Sequence, residues 1–365
     1  MYLQSLKLLN FRNYQNIIIN FSPKINIFYG LNGSGKTNLV ESIYYLGLTK
    51  SFRNNNDLNL IKKNSNYAKI YGQISDDFVN DYMIYFDNSG KKIKIDNETI
   101  QKLSDYVGRI KIVLFHPNDL KFVKDSPTIR RKVLNISISQ VDKDYLFYLN
   151  KYNKVLKQRN MYLKKISKYE SLDIQYLDII TKQMIELGYH IYDIRKKYVN
   201  DISSDLTSMY ANIMGNNSLK LKYVSYFDNH TKDELLTMYQ EHYSRDFMFK
   251  QTSSGVHKDD FLFLLDDEVL KEWGSEGQQK NAVIAYKLAE IMNIKKVFNK
   301  QPILILDDLF SELDNQKINN ILTLLDDNTQ TFITTTEIEN IPEKIKKNAK
   351  IFKVNQGILK EEKYG

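Results

Sequence analysis

The sequence predicts an α/β head with an antiparallel β subdomain, split by a second lobe built on a helical hairpin. Three observations predict it. A short apolar strand, Ile25 to Tyr29, runs into a glycine-rich loop and then a helix. A second apolar strand, Ile303 to Leu306, comes about 270 residues later and ends in two acids. Between them, apolar residues recur at alternating spacings of three and four, the mark of helices packed side by side. Two halves of one head so far apart in the chain imply a separate body between them.

Taken in order, Leu3, Leu6 and Leu8 lead to Asn10-Phe11-Arg12-Asn13-Tyr14, a turn or strand end, and Ile17 to Ile19 begins the return. Residues 67–86 and 91–100 alternate apolar and polar, with Asn88-Ser89-Gly90 as a hairpin turn. Ile110 to Phe115 reads as a short buried strand. The helical spacing holds from Leu134 to Val155 and from Leu177 to Ile213, with Tyr169-Glu170-Ser171 as the connection. Residues 128–214 are therefore expected to form an antiparallel hairpin, roughly 60 Å long at about 1.5 Å per residue. Arg159 interrupts the first stripe, either as its solvated end or as a functional contact. Phe261 to Leu265 is a strand, Gly277 to Phe298 a helix, and Phe332-Ile333-Thr334 a last strand. The expected partition is a head from 1–127 and 251–365 and a helical arm lobe over 128–250.

Composition narrows the class. With 42% hydrophobic and 26% charged residues the chain is ordinary for a soluble globular protein. The net charge of +8 favours a polyanionic partner, nucleic acid or anionic membrane. The chain has no Cys, which excludes disulfides and thiolate metal sites and fits a reducing cytoplasm. Met1 to Phe11 carries no leader pattern, and no apolar run is long enough for a membrane span.

The strongest motif is Gly30-Leu31-Asn32-Gly33-Ser34-Gly35-Lys36-Thr37, a full G-x-x-x-x-G-K-[ST] between strand and helix. Its glycines let backbone N–H groups close on phosphates, and the helix N-terminus, opening at Asn38, adds partial positive charge. Lys36 is expected on the β- and γ-phosphates of ATP and Thr37 on Mg²⁺. Asp307, at a strand end, is where a carboxylate of the Mg²⁺ shell belongs, and Asp308 is placed to orient or deprotonate the attacking water. The alternative for these acids is a helix N-cap.

Two further stretches follow the same logic. Ser275, Gly277 and Gln278 open a strongly helical run, and a Ser and Gly at a helix start can hold an anion. They resemble the signature of ABC-type ATPases, which contacts ATP held by the other subunit. Ser311 to Asp314 resembles the D-loop of that class, and Thr334-Thr335-Thr336 occupies the switch position.

Asn10 to Tyr14, Gly30 to Asn38, Phe115 to Leu120, Pro127 to Arg131, Arg159-Asn160, Ser254 to Asp260, Ser275 to Lys280 and Ile305 to Asp314 together resemble the RecF family, in its order and over nearly the whole chain. The resemblance implies an ABC-type P-loop head with a modest helical second lobe. It also implies an ATP-dependent homodimer, DNA binding, slow hydrolysis, and action with RecO- and RecR-like partners in gap repair and the SOS response. Arg12 would then pack on the nucleotide or reach its γ-phosphate, unless it is a solvent-facing loop residue. Asn118 or Asp119 would fill the Q-loop role.

Departures from the general ABC pattern point to slow turnover. Asp308 stands where Glu is usual, which sets the carboxylate back by one methylene. Thr335 stands where many relatives have His. Arg53, Lys62, Lys63, Lys121, Lys124, Arg130, Arg131 and Lys132 are candidates for DNA phosphate contacts, each also readable as a solvated cation. The preferred DNA (single-stranded, gapped or junction) is open. A transporter ATPase subunit has its motifs about half as far apart, an SMC protein has arms several-fold longer, and a non-hydrolysing adaptor would use ATP only to dimerise.

Overall fold

In the computed structural model, residues 1–166, 168–215, 218–309 and 328–362 are described. Alternation decides the first sheet. In β1 (Tyr2–Phe11) Leu3, Leu6 and Leu8 are buried, while Ser5, Lys7 and Leu9 face out. β2 (Tyr14–Asn20) returns antiparallel to it, and β3 (Ile25–Tyr29) leads into α1 (Lys36–Leu48). The segment read as one alternating stretch is two strands, β4 (Tyr67–Ser75) and β5 (Val79–Asp87), joined through residues 76–78. β6 (Gly90–Ile95), the short β7 (Glu98–Thr99) and β8 (Ile112–Phe115) follow.

The expected 128–214 hairpin is corrected to three helices. α2 (Pro127–Val141) stops at Asp142, whose carboxylate accepts the N–H groups of Asp144 at 3.0 Å and Tyr145 at 2.9 Å. That local turn separates α2 from α3 (Tyr145–Lys165), a break the apolar spacing does not register. The hairpin is α3 against α4 (Ile174–Met214), whose 41 residues span about 60 Å. Beyond it come β9 (Leu219–Val224), α5 (Lys232–Glu241), α6 (Tyr243–Phe249), β10 (Asp260–Leu265), β11 (Glu268–Val269) and α7 (Leu270–Trp273). α8 (Glu276–Phe298) leads to β12 (Ile303–Asp307), β13 (Thr331–Thr335), β14 (Ala349–Asn355) and β15 (Ile358–Glu362).

The chain divides into two compact units. The first joins Met1–Lys121 to Val283–Gly365, and the second is Phe122–Ala282. Residues 251–282, assigned to the head by the sequence reading, thus cluster with the helical lobe, because β10 pairs with β9 and β11 there.

In the first unit, α1 packs on two sheets. One is antiparallel, in the order β2-β1-β4-β5-β6-β7. The other, β15-β14-β3-β13-β12-β8, is parallel except for β15. β3 lies at its centre between β14 and β13, so the loop that follows it leaves from the carboxyl edge where α/β sheets bind ligands. Phe28 stacks with Phe352 at 5.3 Å and lies 6.2 Å from Phe332, locking the three central strands together.

In the second unit, two fully buried arginines tie the hairpin to the segment before β10. Arg159 donates to Asp246 and Thr252, each at 2.7 Å. Arg195 donates to Asp259 at 3.0 Å and to the Val256 carbonyl at 2.7 Å. Arg159 is thus an internal strut, neither a solvated end nor a surface contact.

Candidate nucleotide site

The loop after β3 is shaped by backbone that side chains disfavour. Gly30, Gly33 and Gly35 have φ of 153°, 77° and 118°. At Gly30 a Cβ would lie 2.2 Å from the Val354 carbonyl oxygen on β14, so only glycine fits. The first amides of α1, at Lys36, Thr37 and Asn38, come before the first intrahelical bond, Leu39 N–H to Gly35 O at 3.0 Å. Lys36 is buried and folds across the loop, donating to the carbonyls of Gly30 at 2.8 Å and Leu31 at 3.2 Å. Burial lowers its pKa, against the pull of Asp308 and Asp307. Ser34 Oγ is buried inside the loop without a partner, as expected of a group meant for a ligand.

The second half of the site arrives with β12 and β13. Asp307 ends β12 and pairs in register with Thr334 of β13. Thr334 Oγ1 donates to the Asp307 carboxylate at 2.7 Å and accepts the Asp308 N–H at 2.9 Å. Thr37 Oγ1 donates to the same carboxylate oxygen at 3.2 Å, joining the two motifs. His116 Nε2 lies 3.7 Å from its other oxygen. Burial raises the Asp307 pKa, so the buried carboxylate sits where a cation would be welcome. A hydroxyl and one carboxylate side by side are what Mg²⁺ needs from protein when phosphates and water supply the rest. No cluster of three or more His, Cys, Asp or Glu suited to a metal exists among the described residues.

The β1–β2 turn closes one side. Asn13 donates to Ser34 O at 3.3 Å and accepts from Asn38 at 2.9 Å. Arg12 forms a bidentate pair with buried Glu41 of α1, at 2.8 and 2.9 Å, so its guanidinium is held within the head and is not a free loop residue. Arg53 donates to Asn38 Oδ1 at 3.0 Å and Lys62 to Asn13 O at 2.8 Å. An open cleft of about 420 Å³ lies there, lined by Arg12, Asn13, Asn38, Asn59, Lys62 and Lys63. Two of the expected DNA contacts, Arg53 and Lys62, therefore border the P-loop.

A family described as RecF/RecN/SMC N terminal domain matches residues 2–360. The DNA replication and repair protein RecF of Lactobacillus johnsonii is 36% identical over 98% of this chain and 99% of its own. The protein of that name from Streptococcus thermophilus strain LMG 18311 is 37% identical over 99% of both. This chain belongs to the RecF family.

Two solved RecF structures share the fold. One, described as the recombination mediator protein RecF-ATP in the RecFOR pathway, superposes with a TM-score of 0.91 at 30% identity, covering 99% of this chain and 97% of that one. The other, RecF-ATPrS, gives 0.91 at 28%, covering 99% and 98%. An Smc head bound to the C-winged helix domain of ScpA gives 0.55 at 17%, which bears on fold alone. The RecF-family fold is thus an ABC/SMC-type ATPase head with a helical second unit. No described helix is long and apolar enough to cross a membrane.

The remaining RecF-type residues distribute as follows. Ser275 N-caps α8 in a capping box, accepting the Gln278 N–H at 3.2 Å while its own N–H donates to Gln278 Oε1 at 2.8 Å. Ser275 and Gly277 are exposed, and a Cβ on Gly277 would meet nothing nearer than Ser275 Oγ at 3.9 Å. Thr335 is buried and donates to the Glu337 carbonyl at 2.9 Å, within its own loop. Ser311 and Asp314 lie outside the described residues. Arg130 is buried against Asp260 in a bidentate pair at 2.8 and 2.7 Å, which removes it from the surface DNA candidates. Arg131 donates to the Asp259 carbonyl at 2.6 Å. Asn118 is exposed, with its N–H on His116 Nδ1. From the same stretch, His116 lies by Asp307.

Sequence reasoning placed Thr334 in the switch stretch without its contact to Asp307, which the parallel register of β12 and β13 provides. It missed His116, Glu41 and Asn13 as parts of the site. The contact of Asn13 with the P-loop had no signal in the sequence.

Proposed function

We propose that the chain is an ATP-dependent DNA-binding protein of recombinational repair and replication, acting as an ATP-closed homodimer with weak, DNA-stimulated hydrolysis. Mg²⁺ is held by Thr37 and Asp307 with the phosphates, and Arg12 and the cleft beside it take the nucleoside end of ATP. Ser275, Gly277 and Gln278 complete the partner's nucleotide, with Ser311, Asp314 and Thr335 contributing D-loop and switch contacts. RecO- and RecR-like proteins are its partners in gap repair and SOS induction, and its place is the cytoplasm. The plan of a split head around an arm lobe belongs to the same reading, with residues 251–282 grouped with the lobe.

The observation that carries it is the exposed signature. Gly277 has open space around it, so no contact among the described residues explains a glycine in the first turn of a helix, where Ala is the better helix former. A second subunit's triphosphate supplies the reason. Asp308 supports slow chemistry, with a left-handed φ of 48° and a short side chain.

Sedimentation of the chain with ATP, ADP or no nucleotide, with labelled gapped DNA present, tests the proposal. A dimer should form on DNA with ATP alone, and Lys36→Ala should abolish nucleotide binding, dimerisation and DNA binding together. Asp308→Asn should trap the closed dimer. A chain that stays monomeric at saturating Mg²⁺ and non-hydrolysable triphosphate sinks the shared-site mechanism. The short Asp308 side chain also favours a second reading, an adaptor without turnover. A phosphate-release rate equal to that of Lys36→Ala would select it.

A further inference from the structure

The outer face of the antiparallel sheet is not the polar surface such sheets usually show to water. Pairing registers place Leu9, Lys69 and Tyr85 in one row with Lys92, and Ile18, Lys7, Tyr71 and Met83 in the next with Lys94. Tyr67 opens β4 on the same face. Its ring stacks with Tyr85 at 5.7 Å and 25°, and Lys69 Nζ lies 5.6 and 5.5 Å from the two ring centres. Ile18 is 67% exposed. A trough of about 670 Å³ runs across the face past Lys7, Tyr71, Gln73, Met83 and Lys94.

Charge complementarity says what this face fits. Lys7, Lys69, Lys92 and Lys94 stand against Asp81, Asp87 and, at the turn after β6, Asp96, whose carboxylate is taken up by Asn80 and the Asp81 N–H. Asp87 is occupied by hydrogen bonds from Ser89 Oγ and Tyr85 Oη, each at 2.6 Å, and the Ser89 N–H at 2.7 Å, which hold its pKa down to about 2. Lys7, Lys92 and Lys94 make no ion pair among the described residues. A flat face carrying unpaired ammonium groups between tyrosine rings suits a chain of anions with aromatic groups between them. In a duplex the bases are stacked away from such rings, whereas a single strand can offer its base faces.

We infer that this open sheet face, carrying Tyr67, Tyr71 and Tyr85 between Lys7, Lys69, Lys92 and Lys94, is a binding surface for single-stranded nucleic acid. Tyr67 and Tyr71 lie about 13 Å apart along β4 at about 3.3 Å per residue, which leaves room for two or three unstacked nucleotides. The inference rests on the reading that the chain acts on DNA, and it adds a surface that shares no lining residue with the cleft beside the P-loop.

Fluorescence anisotropy of a labelled twenty-nucleotide oligothymidylate with the full chain, at several salt concentrations with ATP and Mg²⁺, tests it. Lys7→Gln/Lys92→Gln/Lys94→Gln should bind at least 10-fold more weakly, with the salt slope reduced by about 2, since each phosphate contact on a single strand contributes about 0.7. Tyr67→Ala/Tyr71→Ala should also lose about 10-fold or more, with the slope unchanged. Both variants should bind a fluorescent ATP analogue as the parent does, which shows that the head is folded. Parental oligothymidylate affinity in the triple variant overturns the inference. So does a parent chain that binds duplex but no single strand, while the DNA reading survives. A parent that binds neither form sinks both.

Discussion

Thr334 Oγ1 sits 2.7 Å from the Asp307 carboxylate, donating to it, and receives the Asp308 N–H at 2.9 Å, so one hydroxyl holds both acids in place. A hydrogen bond to a charged group is worth about 1.5–3 kcal/mol. Thr334→Val should therefore weaken Mg²⁺-dependent ATP binding roughly 10-fold or more, and Thr334→Ser should restore most of it. Titration of a fluorescent ATP analogue at varied Mg²⁺ measures the loss. An unchanged Mg²⁺ requirement in Thr334→Val would show that the hydroxyl does not position the acids.

Two glycines should behave oppositely. Gly30→Ala forces a Cβ to 2.2 Å from the Val354 carbonyl at a φ that L residues avoid, and nucleotide binding should be lost outright. Gly277→Ala meets only open space, so folding and nucleotide binding should be intact while ATP-dependent dimerisation fails. Equilibrium binding paired with sedimentation separates the two. A dimerising Gly277→Ala would count against the signature's role.

Gln330 fastens the N-terminal strand. Its side chain accepts the Leu3 N–H at 2.7 Å and donates to the carbonyls of Leu3 and Ser22, each at 2.8 Å, in a fully buried setting. Gln330→Ala strands those backbone groups without water and should destabilise the first unit by about 2–4 kcal/mol. Urea denaturation followed by circular dichroism reads the shift. A change below about 0.5 kcal/mol would show that water replaces the side chain.

His257 gives the second unit a pH dependence. Burial, reinforced by Lys258, Arg131 and Arg159, lowers its pKa to about 4, while Thr252 O accepts from the ring and pulls the other way. The unfolded chain protonates near the ordinary value of about 6.5, so between about pH 6.5 and 4 it binds more protons than the native state. Stability should fall through that window on acidification, by roughly 1–3 kcal/mol. Above about pH 6.5 the contribution is complete. His257→Gln should flatten the slope of unfolding free energy against pH. A parental slope in that variant assigns the titration elsewhere.

The sequence made the P-loop and the acid-tipped strand readable because each is a local pattern: glycines at fixed offsets and an apolar run ending in Asp307. It made the hairpin partly readable, since apolar spacing marks a helix face but is blind to the Asp142 turn that breaks it. Arg159 and Arg130 were opaque for a different reason. An arginine in a polar stretch of a helix reads alike whether it faces water or meets a carboxylate distant in sequence, here Asp246 for Arg159 and Asp260 for Arg130. The outer face of the β1–β7 sheet was invisible as a surface until pairing registers aligned its tyrosines and lysines in rows.

The position of β3 has a consequence for synthesis. Both strands that flank it, β13 and β14, belong to the final fifth of the polypeptide. While the ribosome is still translating, the phosphate loop hangs from an unpaired ribbon, although the residues of the second unit have already emerged and are free to settle. A message cut short before β13 would yield a finished arm beside a head that has no floor.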